Sequence, residues 1–289
     1  GQFLLPFFYV CTINVQWSCN EVSRGLLGGF FILIFSNFKN VFAMSECKLY
    51  LNLMPHLDQQ NFIYNCLENI LVEEKYAKLN VLEIGSHEVG PSQKIREYLK
   101  DHNYIGIDLI KGPGVDVVMN GEDIHKFNYK FDIIVSGECF EHAVNWKKIF
   151  SEMIKNTTDH GFIILTIASR GRIEHGTSRS GSADSPGTSD DYYLNLTKKH
   201  FFNNFDIKKI FKEYFFFYNI HSHDLYFFGS KKERETICKK IKDRTNKENN
   251  KIPNFKNLKR YILAGLLPDK MYQDFHFLNK KRKKMSSTK

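Results

Sequence analysis

No CxxC pair occurs among the six cysteines of this 289-residue chain, at positions 11, 19, 47, 66, 139 and 238. Nothing in their spacing supports a disulfide framework or a zinc site, and a reducing, cytoplasmic setting fits this usage. Long apolar runs are also missing. Leu26 to Phe35 (LLGGFFILIF) is about half the length that spans a bilayer. Its flanks have neither the basic start nor the small-residue cleavage site of a signal peptide. There is no internal repeat. The GxGxxG fingerprint of dinucleotide binding is absent, and no Tyr-x-x-x-Lys pair stands where a nicotinamide-dependent dehydrogenase would need one.

What is present is ordinary in bulk and uneven in distribution. Hydrophobic residues make up 42% and charged residues 25%, as in a globular protein. The aromatic share of 15%, mostly Phe, reads as compositional bias. The net charge of +9 belongs to the tail: residues 231–289 hold 19 Lys and Arg against 6 Asp and Glu. The middle, 44–230, carries −5 and residues 1–43 carry +1, so the basic balance says little about a central ligand. Three regions follow. Residues 1–43 form an apolar extension; the first Met is Met44, and we read 1–43 as sequence upstream of a start there, with a membrane anchor as the sharper alternative. Residues 44–230 form the patterned domain. Residues 231–289 form a basic appendage, expected to be helical or partly disordered.

From Met44 to Ser230 the pattern alternates. Leu57 to Lys75 places Phe62, Cys66, Ile70 and Leu71 at helical spacing. Strands are expected at Val81–Ile84, Tyr104–Asp108, Val115–Met119, Phe131–Ser136 and Gly161–Ala168, with helices at Ser92–Lys100 and about Asn145–Thr157. Phe215–Ile220 and Asp224–Phe228 flank a short polar turn and read as an antiparallel hairpin. Strands separated by helices predict an α/β fold, a mostly parallel sheet with helices on both faces.

Ligands of such sheets bind outside the carboxyl ends of the strands, and four features collect there. Glu83-Ile84-Gly85-Ser86 through Gly90 makes a turn whose N–H groups can hold a carboxylate, while Glu83 can accept from a cationic amine. Asp108, followed by Leu109, ends the second strand, where a carboxylate can take both hydroxyls of a ribose; a turn cap is the bland reading. Asn120-Gly121 follows the third strand and could read an adenine edge, or be only a turn. Ser136-Gly137-Glu138 follows the fourth, then Glu141-His142.

The run VLEIGS…YIGIDLIKGPGVDVVMNGEDI…FDIIVSGECFEHAVNW…GFIILTIAS resembles the class I S-adenosylmethionine-dependent methyltransferase domain of the methyltransferase-11 type, over roughly residues 80–169 and less closely 57–230. The family's first loop follows Glu/Asp-x-Gly-x-Gly-x-Gly; this chain keeps Glu83 and Gly85 but then reads Ser86-His87-Glu88-Val89-Gly90. The resemblance implies a Rossmann-like seven-stranded sheet with its last strand antiparallel. It implies S-adenosylmethionine as cofactor, held by Glu83, Gly85, Ser86, Gly90, Asp108, Leu109, Asn120, Gly121, Ser136 and Glu138. It leaves the acceptor open. A small molecule or glycan is expected, and nucleic acid rests only on the Lys-rich tail, which no RNA-binding module accompanies. An RNA methyltransferase and a non-catalytic nucleotide-binding domain are the alternatives.

On the acceptor side, His142 is taken as general base, with His175 and Tyr192 as substrate contacts. The low-complexity stretch Gly176–Asp191 reads as an acceptor-side lid or an idle loop. Glu138, Glu141 and His142 have the spacing of one helix face, yet acids at a helix start are favourable without a metal, and none is expected. His221 and His223 read as water-exposed turn residues, and Phe215-Phe216-Phe217 as sheet core.

Overall fold

The computed structural model describes residues 57–74, 77–89, 95–181, 185–188, 191–249 and 253–287. The N-terminal extension 1–43 and Gly90 lie outside them. Helix α1 covers residues 57–73. It is followed by β1 (Asn80–Ile84), α2 (Ile95–Tyr98), β2 (Asn103–Asp108), β3 (Val117–Val118) and a 3-10 turn at Gly121–Phe127. Then come β4 (Phe131–Gly137), a 3-10 turn at Phe140–His142, α3 (Trp146–Asn156), β5 (Thr157–Ala168), α4 (Lys198–Asn204) and α5 (Ile207–Ile210). The hairpin β6 (Glu213–Asn219) and β7 (Asp224–Ser230) precedes α6 (Glu235–Asn249), α7 (Phe255–Leu266) and α8 (Asp269–Ser287).

The seven strands form one sheet in the order β3-β2-β1-β4-β5-β7-β6. The first five are parallel to their neighbours. Strand β7 runs antiparallel to both β5 and β6, inserted between them. The carboxyl edge of the parallel strands therefore also receives the start of β7, where Asp224 pairs with Ala168.

Alternation along each strand divides the core by sheet face. Leu82, Ile84, Ile134, Ile163, Leu165, Leu225 and Phe227 join Trp146, Ile149 and Phe150 of α3 and Phe201 of α4. Val81, Ile133, Val135, Ile164, Tyr226 and Phe228 join Phe62, Cys66 and Ile70 of α1 and Ile237, Cys238 and Ile241 of α6. The Phe bias finds its use here: Phe150, Phe201, Phe205, Phe211, Phe216 and Phe227 pack edge-on and tilted around one another. Such pairs add to the burial of the rings themselves.

The Lys-rich tail is tied into this body. Besides α6, Tyr272 of α8 is buried and donates to the Gly171 carbonyl at 2.9 Å. Gln273 is buried, donating to the Arg172 carbonyl at 3.0 Å and accepting from the Glu174 N–H at 2.9 Å. Along α6 the apolar Ile237, Cys238 and Ile241 face the core while Lys239, Lys240 and Lys242 are exposed, which a charge count alone does not reveal; α7 and α8 leave Phe255, Ile262, Leu266, Met271 and Leu278 exposed. Among the described residues no helix is long and apolar enough to cross a membrane.

Candidate functional site

Strand β1 continues to β2 on one side of the sheet, while β4 lies on its other side, so the strand order reverses between β1 and β4. The crevice at such a point is where open α/β sheets take ligands. Gly85 sits at that crevice with φ +78, and a Cβ there would lie 2.7 Å from the Cys139 Cβ. Only glycine lets the β1 and β4 loops approach so closely. Burial pushes the Cys139 thiol up to about 12, so it stays an inert thiol.

The turn after β1 does not offer its backbone donors to a ligand as its sequence suggested. Gly85 and Ser86 N–H both donate to the Ile107 carbonyl, at 2.9 and 3.1 Å, and Glu88 N–H donates to the Pro113 carbonyl at 3.0 Å. His87 N–H donates to Asp108 Oδ2 at 3.2 Å. Residues 86–88 are larger than the glycines of the Gly-x-Gly-x-Gly pattern, and they fold onto the segment 112–116 instead of standing open. Glu83 is likewise turned to its neighbours: its carboxylate accepts from the Tyr104 hydroxyl on β2. Burial raises it to about 7, with that bond and the Arg96 charge acting the other way.

Asp108 keeps the placement expected of it. It ends β2, and its carboxylate accepts the two long bonds from His87 N–H (3.2 Å) and Ile110 N–H (3.4 Å). A carboxylate has about four acceptor positions, so capacity for two further donors remains. Leu109 beside it is half exposed. Asn120 instead caps the following 3-10 turn, accepting from Glu122 N–H at 3.0 Å. Gly121 is buried where a Cβ would meet Ile149 and Ile84. Ser136 is buried with its hydroxyl donating to the Ile84 carbonyl at 2.8 Å, which braces β1 against β4 and takes the hydroxyl out of the crevice. Ser86 is also buried.

Glu138 belongs to a charged group that the sequence does not suggest. It follows β4 with φ +50, an uncommon conformation for a residue with a side chain. Arg172 Nη2 lies 3.5 Å from Glu138 and Nη1 3.5 Å from Asp224. Asp224 also accepts from Gln59 Nε2 of α1 at 2.7 Å. Burial and the proximity of Asp224 and Glu141 raise Glu138 well above the carboxylate range, while Arg172 pulls it down. Burial raises Asp224 too. One guanidinium thus serves carboxylates from the ends of β4 and β7.

Next to this group stand Glu141, His142 and His175, with ligand atoms all within 4.8 Å of one another. The helix-face spacing pointed to Glu138 as the third member; the structure supplies His175 instead, from the loop after β5. Glu141 is fully buried, and no side chain donates to its carboxylate, which faces only the backbone N–H groups of Glu141 itself and Ala168. Burial raises it to about 7. The His142 ring packs edge-on against His175 and Tyr193, with centroids 5.0 and 5.5 Å apart. Burial lowers its pKa to about 4, so it is neutral near pH 7. Tyr193 packs in this cluster. Tyr192 and Tyr193 together line a hollow of about 410 Å³ shared with Glu174, Arg179, Asp269 and Gln273.

The loop after β5 is packed where its composition suggested an open segment. Thr177 is buried and donates to Glu174 at 2.6 Å, and Arg179 joins Glu174 to Asp274 of α8. Further along, a Cβ on Gly187 would lie 3.2 Å from Asp108 Oδ1, so the loop reaches the end of β2. His223, expected to meet water, is buried at φ +64 beneath Gly171, where a Cβ would lie 2.7 Å from its Nδ1.

Neither a protein-family model nor a curated protein matches this chain. Solved structures do. The plantazolicin methyltransferase BpumL in complex with a monoazolic desmethylPZN analogue and SAH is 15% identical over 77% of this chain and 90% of its own, at a TM-score of 0.44. The 1,6-didemethyltoxoflavin-N1-methyltransferase of Burkholderia thailandensis is 12% identical over 74% and 94%, at 0.41. PKMT2 from Rickettsia typhi in complex with AdoHcy is 19% identical, but this chain spans only 21% of its length, at 0.27. The strand order, with β7 inserted antiparallel between β5 and β6, is the Rossmann-like class I methyltransferase fold.

The neutral burial of His142 has a measurable consequence. Unfolded, the imidazole titrates near 6.5; folded, near 4. Between those values the unfolded chain binds the extra proton, so His142 subtracts stability as pH falls through that window. Replacing it with Gln removes the penalty. Relative to wild type, His142→Gln should gain about 1–2 kcal/mol between pH 7 and pH 4.5 in urea unfolding, allowing for partial exposure. A difference that does not change with pH would contradict the buried neutral ring.

Proposed function

We propose that the chain binds S-adenosylmethionine in the crevice at the carboxyl ends of β1 and β4, with Asp108 of β2 at its side, and transfers its methyl group to a small-molecule or glycan acceptor. The observation that carries this is Asp108: a strand-end carboxylate beside the Gly85 turn, with acceptor capacity for two donors after its own backbone bonds are counted. Vicinal ribose hydroxyls match that capacity. The solved methyltransferases of like strand layout, some determined with SAH, are in keeping with this reading but do not carry it.

When bound, the cofactor brings a sulfonium methyl group that is already activated, so the chain's task is alignment and exclusion of water. The Gly85 turn keeps the β1 and β4 loops close, and the Ser136 bond to Ile84 fixes their separation. The cluster of Glu141, His142, His175 and Tyr193 stands on the acceptor side. An amine acceptor needs only to be neutral there. An oxygen acceptor needs its proton removed, and His142, held near 4, is a weak base for that task.

Calorimetry with S-adenosylhomocysteine tests the cofactor reading. Asp108→Asn keeps the side chain's shape but presents one acceptor oxygen and an NH2 group. It should weaken binding by about 2–3 kcal/mol, roughly 30- to 150-fold, with circular dichroism confirming the fold. Unchanged affinity in the folded variant would refute the assignment.

The contact between Gly187 and Asp108 adds a second expectation. The segment 185–188 acts as a cover over the ribose end of the crevice, not only over the acceptor. Its amides should therefore gain hydrogen-exchange protection with S-adenosylhomocysteine alone. Protection unchanged by that ligand would return the loop to a surface role.

A further inference from the structure

We propose that Glu141, His142 and His175 form a binding site for one divalent transition-metal ion, with zinc the fitting probe. This inference is independent of the cofactor reading. It concerns a group of side chains to which the crevice at Asp108 contributes nothing.

The first support is the donor set. Two imidazoles and one carboxylate meet with ligand atoms within 4.8 Å of one another. Zinc bonds of about 2.0–2.2 Å set neighbouring tetrahedral ligand atoms about 3.3–3.5 Å apart. The His175 Nε2 to Glu141 Oε1 separation of 3.9 Å is already close to that. Closing the rest requires side-chain shifts of about 1 Å, and His175 comes from a loop while Glu141 and His142 are adjacent on one 3-10 turn.

The second support is the condition of Glu141. Its side chain is fully buried, no side chain donates a hydrogen bond to it, and only the backbone N–H groups of Glu141 and Ala168 and the Arg172 charge favour its ionised form. A buried carboxylate with no cation directly against it is costly. Arg172 is committed elsewhere: Nη1 donates to the Ser222 carbonyl at 2.9 Å, and the guanidinium faces Glu138 and Asp224. His142 adds a buried Nδ1 with no hydrogen-bond partner. An ion between these side chains would place a positive charge directly against Glu141, closer than the Arg172 guanidinium.

The third support is the orientation of His175. Its Nδ1 lies 3.3 Å from the Ile173 carbonyl, which assigns the ring proton to Nδ1 and makes Nε2 the lone-pair atom. That Nε2 is the atom turned toward Glu141. A ring N–H anchored on a carbonyl with the opposite nitrogen facing a carboxylate is the arrangement that supports metal-ligating histidines. Two histidines and one carboxylate leave a coordination position for an exchangeable ligand.

The full-length chain is stripped of cations with a chelator, dialysed and titrated with zinc chloride by calorimetry, with cobalt(II) absorption as a second readout. We expect a saturable site of one ion per chain at Glu141, weakened at least 100-fold in His175→Gln and in Glu141→Gln. Cobalt should give the visible bands of a four- or five-coordinate site in wild type and lose them in His175→Gln. His175 is on the loop and partly exposed, so that variant carries the test should Glu141→Gln fail to fold by circular dichroism. No binding by the folded wild-type chain overturns the proposal. So does zinc affinity unchanged in folded His175→Gln, which would put the ion elsewhere, or magnesium binding as tightly as zinc. None of these readouts involves methyl transfer, so the metal site and the cofactor reading stand or fall separately.

Discussion

The carboxyl edge of this sheet is organised around the ion pairing of one buried guanidinium. Arg172 faces Glu138 from the end of β4 and Asp224 from the start of β7, each at 3.5 Å. Its backbone carbonyl accepts from Asn195 Nδ2 at 2.9 Å and from Gln273 Nε2 of α8 at 3.0 Å. Four separate parts of the chain are fixed by this one residue. A set of buried carboxylates deprived of its cation typically costs about 3–5 kcal/mol, comparable to a large fraction of a domain's net stability. The arrangement also explains why the sheet tolerates so many acids at one edge: their mutual repulsion is offset by a charge held where all of them can use it.

This constraint separates two ends of the crevice. Near Gly85 and Asp108 the chain is mostly backbone and short contacts, with the β1 turn stitched to β2. Near Glu141, His142, His175 and Tyr193 it is a cluster of aromatic and titratable side chains, buried or partly buried. The loop after β5 touches both. Gly176 lies against His142, and Gly187 against Asp108.

Much of the sheet was legible in sequence because its strands are continuous apolar runs ended by Gly, Asp or Ser. VLEI, YIGID, FDIIVS and GFIILTIA all announce themselves in this way. Strand β3 was read too long: only Val117–Val118 pair, at the sheet edge. Asp108 was legible from its place at a strand end. The donor capacity of the β1 turn was not, because nothing local says that residues 85–88 spend their N–H groups on residues 107, 108 and 113. The charged group was hidden for the same reason: Gln59 and Asp224 are 165 residues apart. The available signal was the pair Arg170 and Arg172 after β5, a strand whose neighbour β4 is followed by Glu138. In the tail, Ile237, Cys238 and Ile241 had helical spacing that the lysine count obscured.

As proposed, the crevice of this class I methyltransferase fold takes S-adenosylmethionine in preference to a nicotinamide dinucleotide, the other ligand served by an acidic strand end in a sheet of this kind. Thermal unfolding of the full-length chain with each ligand in turn decides it most directly, since a ligand that binds the folded state raises the midpoint. The account predicts a concentration-dependent rise in Tm with S-adenosylhomocysteine and none with NAD. A rise with NAD and none with S-adenosylhomocysteine, or no response to either at saturating concentration, would contradict it.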